Sequence, residues 1–113
     1  MVKIHKVHIE KSMKECLFEA FKNNAVITSN GLSSSEFIHV CEHKAYYEDG
    51  GCLGSFSETI ELLNSQEWTR KYKWFIIGYM SDNEICAIKH LRKTYKYCYN
   101  TIYEKELKNI LSL

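Results

Sequence analysis

Three groups of side chains in this 113-residue chain have types and spacings that chemistry can use. His39 and His43 stand four residues apart, with Glu36 just before them. On a helix these three form one stripe, and two imidazoles with a third ligand, Glu36 or Cys52, would begin a zinc shell. The pattern is not HExxH, because position 40 is Val and the glutamate stands at 42. It reads more simply as a solvated helix face carrying two histidines, and no metal is assigned. Cys41 lies close to both imidazoles in sequence, as a nucleophile and its base would. On that helix, however, it points with Phe37 and Val40 toward the core, in an acidic segment that disfavours a thiolate. Glu48-Asp49-Gly50-Gly51 lacks the alternating oxygen ligands of a calcium loop, and no lysine-serine pair follows Gly51-Cys52-Leu53-Gly54 to make a phosphate loop. No catalytic residue, cofactor or metal is assigned, and the chain is not expected to be an enzyme.

The charges are more informative than the candidate ligands. Residues 36–67 carry seven acids (Glu36, Glu42, Glu48, Asp49, Glu58, Glu61, Glu67) against Lys44 alone, a net of −6. Residues 69–96 carry seven bases (Arg70, Lys71, Lys73, Lys89, Arg92, Lys93, Lys96) against Asp82 and Glu84, a net of +5. Either the two blocks neutralise each other across the fold, or they leave surfaces of opposite sign. The stretch from Lys89 to Tyr99 also interleaves bases with Tyr95, Tyr97 and Tyr99. That pattern suits single-stranded nucleic acid, although the tyrosines equally fit the inner face of a helix.

The elements that must hold these groups belong to one domain, residues 1–113. A hydrophobic content of 45%, with 13% aromatic, is enough for a core. The net charge of +1 gives no general attraction to nucleic acid or anionic membrane. No apolar run approaches a bilayer span, and the first residues lack the apolar core of a secretory signal. Five cysteines, an odd number with no CxxC, point to a reducing, cytoplasmic setting without disulfides.

The predicted fold is α+β. A small antiparallel sheet is centred on a hairpin over residues 74–91, with Ser81 to Glu84 as its turn and three to four helices around it. An edge strand is expected within Val2–Ile9. Ser-x-x-Glu capping boxes at Ser12/Glu15, Ser33/Glu36 and Ser55/Glu58 predict three helices. Tyr99, Tyr103, Leu107 and Ile110, at helical spacing, predict the last.

From Gly50-Gly51 onward, the order of features resembles the SUKH superfamily of bacterial immunity proteins. A glycine pair closes a helix, and a short extended piece and a second helix (Ser57 to Leu63) follow. Then come the strand Phe75-Ile76-Ile77-Gly78, a polar turn, a second strand (Ile85 to Ile88) and a closing helix. The resemblance implies a cytoplasmic protein that binds a toxin domain, often a nuclease, and occludes it without chemistry of its own. A basic toxin would be met by the acidic block, and the expected contact residues are Glu42, Tyr46, Tyr47, Glu48, Asp49, Glu58 and Glu61. The alternative partner is nucleic acid, held by the basic 70–96 face.

Overall fold

The computed structural model describes residues 8–33, 35–95 and 101–112. These form six strands and five helices in the order β1 (Ile9–Lys11), α1 (Met13–Asn23), β2 (Ala25–Ser29), β3 (Ile38–Cys41), β4 (Lys44–Tyr47), β5 (Cys52–Gly54), α2 (Phe56–Asn64), α3 (Trp68–Lys71), β6 (Trp74–Tyr79), α4 (Asp82–Thr94) and α5 (Thr101–Leu111). The strands make one sheet in the order β1-β6-β2-β3-β4-β5, antiparallel at every pairing. The α+β class read from the sequence is therefore correct.

Strand alternation sends side chains into two cores, one on each face of the sheet. Ala25, Ile27, Ile38, Val40, Trp74 and Ile76 meet Cys16, Leu17 and Ala20 of α1 and Leu63 of α2. On the other face Val26, Phe37, Cys41, Tyr46 and Ile77 meet Ile88 and Leu91 of α4 and Tyr103, Leu107 and Leu111 of α5. The sheet thus lies between two helical layers, which is why its inner strands are apolar on both sides.

Three Ser-x-x-Glu boxes open helices here, at Ser12/Glu15, Ser55/Glu58 and Ser81/Glu84, each with both reciprocal hydrogen bonds formed. The last corrects the predicted hairpin. Residues 82–94 are a helix, and the expected turn is its cap. Asp82 and Glu84 in the first turn and Arg92 and Lys93 in the last complement the helix dipole. Ile88 and Leu91, three apart, supply the buried stripe. Ser81→Ala should therefore cost about 1 kcal/mol of stability, read by chemical denaturation; an unchanged midpoint would mean that the cap contributes nothing.

The Ser33/Glu36 signature corrects in the opposite sense. The Ser33 N–H does donate to Glu36 Oε1 (2.9 Å), but only an isolated turn forms. The next residues, Phe37 to Cys41, are largely aromatic or β-branched, and they pair as strand β3 with β2 and β4. The predicted helix over His39 and His43 is instead a hairpin. Its two-residue turn is Glu42-His43, at φ 50° and 68°, where Cys41 faces Lys44. Both central residues at positive φ is the hairpin-turn geometry usually supplied by Asn-Gly.

The edge strand on β6 is Ile9–Lys11, which shares only Ile9 with the expected Val2–Ile9 span. Trp68 stacks near the entry to β6 with ring centroids 6.0 Å from Trp74, and Tyr103 and Leu107 face inward from α5, as their spacing predicts. Val2 to Val7, Lys96, Tyr97, Cys98 and Tyr99 lie outside the described residues.

Candidate functional site

The most unusual chemistry lies between the sheet and α4/α5. β3 and the residue before it alternate so that Phe37, His39 and Cys41 face α4 and α5, while β4 sends Tyr46 the same way. His39 is wholly buried. Its Nε2 lies 3.1 Å from the Tyr103 hydroxyl, and the two rings stack at 6.4 Å. Burial, reinforced by the Arg92 charge, pushes the imidazole down to about 3, so it is neutral across the physiological range. Burial likewise pushes the Tyr103 phenol up to about 12, against the opposing hydrogen bond and charge of Arg92.

Arg92 approaches from α4. Its Cζ sits 3.7 Å from the centre of the Tyr46 ring and 5.5 Å from that of Tyr103. The guanidinium donates to the Tyr103 hydroxyl, leaving that hydroxyl to donate to His39 Nε2. The imidazole proton then sits on Nδ1, which is turned toward the Tyr46 backbone without reaching good hydrogen-bond geometry. Arg92 Nη1 is buried and meets no acceptor among the described residues. It also lies beside Gly50, at φ 89°, where an added Cβ would come to 3.2 Å from the Tyr103 ring and 3.5 Å from Nη1. A side chain there would press on both groups in a backbone conformation that L residues avoid. A cleft of about 230 Å³ opens over the site, lined by Cys41, Glu42, Tyr46, Lys89, Arg92 and Lys93.

The acidic residues named from sequence do not gather into one patch. Glu42 is exposed in the β3–β4 turn, whereas Glu48 and Asp49 lie at the opposite end of β4. Glu48 is buried, and its Oε1 accepts from the Phe37 N–H at 3.2 Å. Burial raises its carboxyl, with the hydrogen bonds opposing. Asp49 is half-buried and holds the Gly51 N–H. Glu58 is exposed but belongs to the α2 cap, while Glu61 points outward from the same helix. Tyr46 is covered by Arg92, and Tyr47 is half-buried. The exposed members are thus Glu42, Glu58 and Glu61.

The basic block divides as well. Arg70 and Lys71 ride on α3, whose Trp68 packs into the α1/α2 core, while Lys89, Arg92 and Lys93 lie on α4, across the sheet. His39 and His43 share no face, since one is in the core and the other in an exposed turn. Among the described residues no group of three or more His, Cys, Asp or Glu is placed to hold a metal. Cys41 is core, as its position predicted, and burial raises its thiol. The described cysteines Cys16, Cys41, Cys52 and Cys86 are all free thiols.

In the sequence Arg92 reads as one more solvated base. Its partners Tyr46 and Tyr103 are 46 and 11 residues away in the chain, so nothing local marks the cluster. No helix among the described residues is long and apolar enough to cross a membrane. In comparisons with known protein families, characterised proteins and solved structures, no match to this chain is found.

Proposed function

We propose that the chain is a protein-binding inhibitor, a bacterial immunity protein that acts in the cytoplasm by covering a basic toxin domain, such as a nuclease. The observation that carries this reading is that the two charge blocks do not neutralise each other. Among the described residues three ion pairs form, and only Glu67–Lys71 joins an acid of the first block to a base of the second. That pair is a local i,i+4 contact on the surface and contributes little. Glu42 and Glu61 are exposed, as is Glu58 beyond its capping bond to Ser55, and among the described residues none of the three has a cation within ion-pair distance. Such charge steers association with a basic surface, and phosphate-handling enzymes present one.

Tyr47 is the half-buried aromatic residue on the same strand system, while Tyr46 and Glu48 act from within by holding the fold. The nucleic-acid reading loses weight, because its bases lie on opposite layers of the sheet.

The test uses any toxin domain found encoded beside this chain's gene. Glu42 and Glu61 make no side-chain hydrogen bond that folding needs, so Glu42→Lys with Glu61→Lys leaves the fold intact. At low salt the double variant should associate about tenfold or more slowly than the wild type and lose its salt dependence. Unchanged association kinetics in that variant would remove the acidic face from the account.

A further inference from the structure

The cleft over Arg92 has a chemistry that the inhibitor reading does not use. Lys89, Arg92 and Lys93 fall at i, i+3 and i+4 on α4, so three like charges share one helix face. That arrangement is destabilising unless something relieves it, and among the described residues none of the three is in an ion pair. Among the described residues the one carboxylate lining the cleft is Glu42, which makes no contact within ion-pair distance and leaves that lining net positive by two charges.

Arg92 is also held in place. Tyr46 covers one face of the guanidinium, Tyr103 accepts from it, and Nη1 is buried beside Gly50, so the group is fixed from within. Stacking compensates only part of the cost of half-burying a cation. A fixed, planar guanidinium flanked by two mobile ammonium groups is the donor arrangement that matches a doubly charged oxyanion rather than a single carboxylate. We propose that the cleft between the β3–β4 turn and α4 binds a phosphate dianion, free or as the terminal group of a small phosphate monoester. Arg92 is its floor, and Lys89 and Lys93 are its arms. The volume of about 230 Å³ admits a phosphate with a small organic remainder.

The experiment follows the Arg92 Nε–Hε signal by NMR while inorganic phosphate is titrated in, with sodium chloride adjusted to hold ionic strength constant. The wild type should show a saturable shift that acetate does not reproduce. Lys89 and Lys93 are exposed, so Lys89→Ala/Lys93→Ala folds normally; it should bind phosphate about tenfold or more weakly. Glu42→Gln, which removes the carboxylate that lines the cleft, should bind it more tightly. A flat titration of the wild type, an equal response to acetate, or equal affinity in wild type and the double lysine variant would overturn the proposal. Titrating a nucleoside monophosphate beside inorganic phosphate separates the two sources. Tighter binding of the monophosphate identifies an ester ligand, and equal binding identifies free phosphate.

Discussion

Tyr103→Ala is expected to destabilise the fold by about 3–5 kcal/mol, and Tyr103→Phe by about 1–3 kcal/mol. The first figure reflects the deletion of a large aromatic side chain, 0% exposed, from the core of one whole face of the sheet. The second isolates the hydroxyl. Phenylalanine keeps the ring stacked on His39 but leaves His39 Nε2 without its donor and takes from Arg92 one of its two tyrosine acceptors, Tyr46 remaining. A buried polar group that loses its partner costs more than the original bond contributed, and here one of the two groups is charged. Denaturant titration of both variants measures the difference directly. A Phe variant as stable as the wild type would mean that the hydroxyl holds neither neighbour. An Ala variant within about 1 kcal/mol would mean that the α5 layer contributes little to the core.

Mild acid should destabilise the protein through His39. Its imidazole is held at about 3 in the folded state by burial and by Arg92, against an ordinary value of 6.5. Above the unfolded value both states are neutral there, and the histidine adds no pH dependence. Between 6.5 and about 3 the unfolded chain takes up a proton that the folded chain refuses, so stability falls as the pH falls. The slope approaches about 1.4 kcal/mol per pH unit, and the loss between pH 7 and pH 5 is about 2 kcal/mol. Between pH 7 and pH 5 ordinary carboxylates stay charged, but Glu48, whose carboxyl burial raises, takes up its proton more readily in the folded state and opposes this slope. The His39 share is therefore read by comparison with a variant. In His39→Gln the slope over this range should flatten, whatever the variant's absolute stability. An equally steep slope in the variant would assign the acid sensitivity to another group.

Much of the architecture is legible in the chain because its signals are local. Ser12/Glu15 and Ser55/Glu58 mark helix starts, and Tyr103 and Leu107 mark a helical stripe. Each of these depends on residues within a turn or two of one another. Sequence and structure part where a local signal serves two structures. Ser33/Glu36 forms its backbone-to-carboxylate bond in a lone turn, and the segment after it becomes a strand because Ile38 pairs with Ile27 across the sheet. Ile85 to Leu91 alternates well enough for a strand, yet Ser81 and Glu84 close a cap that commits the segment to helix.

Cys41 shows how a residue can be placed correctly for an incomplete reason. It is buried on a strand rather than on the expected helix, since both geometries turn it inward. The Arg92 cluster is not legible in the sequence at all. Tyr46, Tyr103 and Arg92 meet only because β4, α4 and α5 pack on the same face of the sheet, and no spacing along the chain encodes that.

The acidic surface matches neither of the two arrangements that the charge blocks suggest. The blocks of opposite charge do not cancel, but burial and capping withdraw Glu48, Asp49 and, in part, Glu58 from the solvent-facing set. The remaining surface is thinner than the −6 total suggests, and its outward charge rests chiefly on Glu42 and Glu61. Glu42 stands at the rim of the positive cleft, so the two proposed activities share one residue while resting on different neighbours. Charge reversal at Glu61 probes the partner surface alone, and neutralising Lys89 with Lys93 probes the cleft alone.

The inhibitor reading is tested most directly by neutralisation. Any toxin domain found encoded beside this chain's gene would be assayed for its killing activity, nucleolytic or otherwise, with rising amounts of the purified protein. The expected result is complete loss of activity near one molar equivalent, with higher salt slowing its onset. Full toxin activity in large molar excess of the protein would contradict the account.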